Sequence, residues 1–112
     1  MKITHWESLP IAETPHKVDV RKLYETDDAQ VMHICLKPGE SLKPHITPVD
    51  VFFFILEGNP TIQVGDEKRE VEPNSLIESP KEIVHCISNL SQCQARILVV
   101  KTPKPIKSAR IL

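Results

Sequence analysis

Apolar residues in this chain fall in short runs, never in long helical stripes. Runs at 17–24, 30–36, 51–56, 61–64, 68–71, 75–78, 84–88 and 95–101 are made largely of residue types that fit a pleated, half-buried surface. Turn residues close several of them, at Pro38-Gly39, Gly58-Asn59-Pro60, Gly65-Asp66 and Pro73-Asn74. That rhythm of short strands and frequent turns predicts an antiparallel sandwich or barrel. No stretch of about ten residues keeps a 3.6-residue apolar period, so any helix is expected to be short and peripheral.

One run departs from simple alternation. Residues 51–56 read Val-Phe-Phe-Phe-Ile-Leu and hold all three phenylalanines of the chain. A strand apolar on both faces is expected to be covered on both, the outer side by a second sheet or another subunit. Its inner face, with Val51 and Phe53, is expected to be either plain core or part of a hydrophobic pocket wall.

The ends read differently from the middle. Lys101-Thr-Pro-Lys-Pro-Ile-Lys107 carries two prolines and three lysines, which predicts an extended surface segment over residues 102–112. Residues 3–6 are apolar enough to pair with a sheet edge, of this chain or of a partner, and a homodimer is the default expectation. The expectation is one domain over residues 1–112, with its core at about 17–101.

Composition narrows the function classes. At 112 residues the chain is large enough for one self-sufficient core. Fourteen Lys and Arg against fifteen Asp and Glu, with a sequence pI near 6.5, leave no electrostatic footprint for nucleic acid. No window approaches the ~20 apolar residues of a membrane span, and the start lacks a signal-peptide core, so no membrane role and a cytoplasmic location are expected. Three cysteines, Cys35, Cys86 and Cys93, are an odd number without a Cys-x-x-Cys pair, which predicts reduced thiols.

The chemistry concentrates in two stretches, 38–59 and 72–89. In the first, Gly39 is followed after five residues by His45, then Ile46, Thr47 and a closing Gly58. In the second, Asn74, Pro80, Glu82, His85 and Asn89 follow one another at fixed spacings. These spacings resemble the two signature motifs of the cupin superfamily, G-x5-H-x-H-x3,4-E-x6-G and G-x5-P-x-G-x2-H-x3-N. The resemblance implies an all-β double-stranded β-helix, or jelly-roll barrel. Thr47 stands where the family has its second histidine and Val51 where it has the glutamate, with Asp50 just before it. Asn74 and Glu82 replace two glycines.

Cupins that hold a metal generally use three histidines and a glutamate, a set suited to Fe, Mn, Ni, Cu or Zn. The resemblance therefore implies a divalent transition metal on His45 and His85. Asp50 would complete a two-histidine, one-carboxylate set if the prolines at 44 and 48 shift the strand register. Otherwise the alternation of strand side chains turns it outward. Thr47 is either a hydroxyl beside a metal-bound water or a plain β-branched strand residue. His33 and Cys35 share one strand face and are candidates for the pocket. Cys86 is expected on the side opposite His85, and His5 and His16 in solvent. Two functions follow: a barrel that binds a metal and a small molecule, with oxygenase or isomerase chemistry, or a metal-free barrel that binds a small molecule or regulates a partner.

Overall fold

A computed structural model describes all 112 residues. Ten strands are present: β1 (Asp19–Glu25), β2 (Gln30–Leu36), β3 (His45–Ile46), β4 (Asp50–Glu57), β5 (Thr61–Val64), β6 (Glu67–Glu70), β7 (Leu76–Ser79), β8 (Val84–Ser88), β9 (Ala95–Thr102) and β10 (Arg110–Ile111). They form two five-stranded sheets, β1-β2-β9-β4-β7 and β10-β3-β8-β5-β6. Neighbours pair antiparallel throughout. The sheets face one another as a jelly-roll barrel, the all-β class that the strand rhythm predicts.

Eight strands lie on the runs read from the sequence. β3 and β10 are two residues each, too short for any alternation to register. β10 also corrects the reading of the tail. Arg110 lies opposite Ile46 and Ile111 opposite His45, and the Leu112 N–H donates to the Pro44 carbonyl at 3.1 Å. The segment thus ends as an edge strand of the second sheet.

Strand alternation builds the interior. Ile34 and Leu36 of β2, Phe53 and Ile55 of β4, and Ile97 and Val99 of β9 all enter one core cluster. Ile62 of β5 and Ile87 of β8 meet them from the second sheet. Leu36, Ile55 and Ile97 are fully buried, at 0% exposure, so this end of the barrel is packed solid. The opposite end is less completely filled.

Turns set the strand ends. Gly58 has φ +81°, and a Cβ there would lie 2.4 Å from the Gln94 carbonyl oxygen, so only glycine fits. Asn74 and Glu82, which stand where the resemblance expects glycines, keep the left-handed backbone, with φ 68° and 63°. Asparagine tolerates that region, but a glutamate there is strained.

The two apolar features outside the core behave differently. Phe52, Phe54 and Leu56, on the outer face of β4, are half-buried and have no second sheet over them. Residues 3–6 do not join a sheet edge. A 3-10 turn at Trp6–Ser8 follows them and is tied down by Arg21, whose Nη1 donates to the carbonyls of Glu7 at 3.0 Å and Leu9 at 3.1 Å. Asp19 holds the same guanidinium through two bonds, at 2.9 and 3.0 Å.

Candidate functional site

The less filled end of the barrel contains the histidines. β3 and β8 are adjacent strands, and their register sets His45 directly opposite His85. Both side chains point inward and are buried. Their Nε2 atoms lie 3.1 Å apart. Ser79, at the end of β7, brings its hydroxyl 2.7 Å from His85 Nδ1, and Thr47 sets its hydroxyl 3.1 Å from His85 Nε2.

Proton positions follow from chemistry. A carbonyl only accepts, so the 2.7 Å contact from His45 Nδ1 to the Lys43 carbonyl puts the His45 proton on Nδ1. His45 Nε2 is then a bare acceptor, and His85 donates to it from its own Nε2. His85 Nδ1 in turn accepts from Ser79. The chain Ser79 to His85 to His45 to Lys43 is satisfied with both rings neutral, which is what a buried polar network requires.

Burial enforces that neutrality. Desolvation first, and positive neighbours second, lower His85 to about 3. His45 is also lowered by burial, against the pull of its bond to the Lys43 carbonyl. Neither ring carries charge at neutral pH.

A third histidine joins them. His16 sits 4.8 Å from the His45 ring, centroid to centroid, and burial lowers it to about 4. Its Nδ1 accepts the Lys43 backbone N–H at 2.9 Å, so its proton is on Nε2. The expectation of a solvent-exposed His16 is therefore corrected. Residue 16 lies in an irregular segment, and only the folding of that segment over the barrel end brings it here.

These groups border a cavity of about 280 Å³. Val20, Met32, Ile34, Leu42, Phe53 and Val99 supply its apolar wall; His16, His45, His85 and Lys101 supply its polar one. Ser108, Ala109 and Ile111 close part of the rim, a consequence of the β10 pairing. Lys101 continues the inward series Ala95, Ile97, Val99 of β9. That alternation is visible in the sequence, and extending it by one step would have identified the lysine.

The expected site residues divide by position. Phe53 lines the cavity. Thr47 and Val51 are buried inside the barrel, Thr47 against His85 and Val51 in the core. Asp50 is exposed, and its Oδ1 accepts the Lys81 backbone N–H at 2.9 Å, so it does not complete a ligand set with the histidines. No register shift occurs at this point of β4; the irregularity in its pairing falls between Ile55 and Glu57.

His33 and Cys35 are also corrected, because both lie on the outer face of the first sheet. β2 puts Ile34 and Leu36 into the core, and alternation turns 33 and 35 away from it. His33 is 1% exposed, covered by Trp6, whose ring stacks on it at 4.2 Å and 16°. Arg96 donates to its Nε2 at 3.1 Å, and its Nδ1 has no partner. Burial pushes the Cys35 thiol up. Cys86 faces away from His85, and its thiol donates to the Leu42 carbonyl. Cys93 is exposed.

The donor set does not fit a resident divalent ion. A stable site needs three or more protein ligands at fitting distances, and no group of three His, Cys, Asp or Glu has that arrangement. His16 uses its one lone pair on the Lys43 N–H. Lys101, an ammonium, borders the same cavity and repels a second cation.

The fold and the two histidine-bearing hairpins define an RmlC-like double-stranded β-helix barrel. Residues 32–101 match the cupin domain family, and the chain belongs to the cupin superfamily. An uncharacterised protein of Methanocaldococcus jannaschii is 29% identical over 89 residues, 79% of this chain and 77% of that one. A solved structure from the same organism, an RmlC-like cupin, superposes with a TM-score of 0.72 at 24% identity, covering 85% of this chain and 88% of that one. The TT1209 protein of Thermus thermophilus gives 0.80 at 26% identity, covering 94% and 100%. The polyketide cyclase RemF of Streptomyces resistomycificus gives 0.84 at 23% identity, covering 100% and 85%; at that identity the likeness is one of fold. No helix of the chain is long and apolar enough to cross a membrane.

Proposed function

We propose that this protein is a small-molecule-binding cupin whose barrel works without a resident metal. The observation that carries the reading is the self-satisfied neutral pair His45–His85, with Nε2 atoms 3.1 Å apart, beside a cavity whose lining includes no carboxylate. Two imidazoles and a hydroxyl are a weak set for a divalent ion, while a mostly apolar hollow with a few fixed polar groups suits an organic ligand. The depressed basicity of His85, to about 3, also makes it a poor general base at neutral pH. That favours binding over proton-transfer catalysis.

The test is the metal content of untagged protein by inductively coupled plasma mass spectrometry, before and after reconstitution with Zn²⁺, Mn²⁺ or Fe²⁺ and dialysis. The expected content is far below one equivalent. Stoichiometric metal that is lost in His45→Ala and His85→Ala overturns the reading in favour of a metal-dependent oxygenase or isomerase.

The same proposal includes a homodimer in which a second copy covers the outer face of β4. Phe52 and Phe54 there continue across the register into Val100 and Leu98 of β9, a row of apolar side chains only half-buried in one chain. Light scattering on wild type and Phe54→Lys is expected to show a dimer and a monomer, respectively.

A further inference from the structure

Lys101 is the one permanently charged side chain on the cavity wall, and nothing in the protein balances it. It projects inward from β9 and takes part in none of the six ion pairs. Burial alone accounts for the lowering of its amine, with no carboxylate opposing the shift. Lys101 shares the cavity wall with His16, His45 and His85. The ammonium is half-buried and has no partner in the protein, so only solvent answers its charge. The missing counter-charge is what a ligand would bring.

A second group points to the same chemistry. His16 accepts the Lys43 N–H through Nδ1, so its Nε2 carries a proton and has no acceptor in the protein. His45 and His85 have spent their ring protons on Lys43 and on each other. The free polar capacity of these four side chains is therefore one ammonium and one neutral N–H donor. A single carboxylate matches that one charge, and the mostly apolar remainder of the wall suits it better than a phosphate dianion.

We propose that the ligand is a small, largely apolar monocarboxylate, its anionic end paired with Lys101 and hydrogen-bonded by His16 Nε2–H, and its body against Phe53, Met32 and Val99. The proposal rests on the small-molecule reading above and specifies its ligand class. A cavity of about 280 Å³ lies at the small end for ligand sites and fits a compact aromatic or short aliphatic acid.

Isothermal titration calorimetry with benzoate, 3-phenylpropanoate and hexanoate, each beside its uncharged amide, tests it. Wild type is expected to bind at least one acid about tenfold or more tighter than its amide. Lys101→Met, which keeps the length and loses the charge, is expected to abolish that preference and leave amide affinity within about twofold. Its melting temperature without ligand is expected to rise, since an unbalanced cation is gone; Lys101→Gln serves as a second uncharged variant. Equal affinity for acid and amide, or a preference that survives in Lys101→Met, overturns the proposal while leaving the small-molecule reading standing. Failure of every acid and every amide to bind wild type overturns both.

Discussion

His85 and His33 are both buried, both kept neutral by burial, and lie on opposite sides of the barrel wall. His85 sits inside, where Ser79, Thr47 and His45 use both of its ring nitrogens. His33 sits outside, sandwiched under Trp6, with Arg96 on one nitrogen and nothing on the other. The inner ring belongs to a closed polar network in which each member satisfies another. The outer ring is held by stacking from the N-terminal segment, outside both sheets. Burial alone therefore does not identify a functional histidine; the number of groups that depend on it, and its proximity to a cavity, separate the two cases.

Breaking the inner network should have the largest effect. His85→Ala leaves the Ser79 and Thr47 hydroxyls and His45 Nε2 buried without a partner and opens a void, for an expected loss of about 3–4 kcal/mol in chemical denaturation. His33→Phe keeps a ring for Trp6 to stack on and removes the unpartnered Nδ1. It is expected to cost less than about 1 kcal/mol. Similar losses from the two substitutions would erase the distinction between the inner and outer histidines.

Acid should expose both histidines together. His85 is lowered to about 3, and His16 and His33 to about 4, while their unfolded values lie near 6.5. Between those limits the unfolded chain takes up protons that the folded chain excludes, so its stability is full above about pH 6.5 and falls as pH drops toward 3. Thermal melts across this range should show the decline, and His33→Phe should make it shallower. A flat profile from pH 7 to about 4 would contradict the neutral-histidine interior.

Removing the outer cover is expected to matter less. Trp6→Ala loses the stack on His33 and the cation–π contacts of Arg21 and Arg96, at 5.0 and 5.6 Å. The site is partly solvent-exposed, so the expected cost is about 1–2 kcal/mol. Ligand binding in the barrel should not change, because Trp6 lines none of its cavity. The smallest effect belongs to Asp50→Asn. The amide oxygen can still accept from Lys81 N–H, so a change within about 0.5 kcal/mol is expected, with no change in metal content by mass spectrometry.

Much of the barrel was legible in the chain. Alternation and turn chemistry are local properties, so eight strands and the glycine at 58 follow from the order of residues. The spacing of Gly39, His45, Gly58, Pro80, His85 and Asn89 carried the family and the histidine pair, because motif spacing records where hairpins return to the same end of a barrel. Alternation from Ile34 and Leu36 also contained the outward direction of His33 and Cys35. It was masked because both faces of β2 are buried, one by the core and the other beneath the N-terminal segment.

The remaining features depended on contacts between distant segments. His16 and the tail strand β10 reach the cavity from residues without periodicity, and no local pattern encodes where an irregular segment will lie. The direction of Asp50 was decided when β4 paired with β9 from Asp50–Thr102 to Ile55–Ile97 without a shift, leaving the carboxylate outside for Lys81. Sequence determined which side chains each strand could present, through the two-residue period of the backbone. Tertiary structure alone decided which of them meet, because the distances between His16, His45, His85 and Lys101 exist only after the two sheets close.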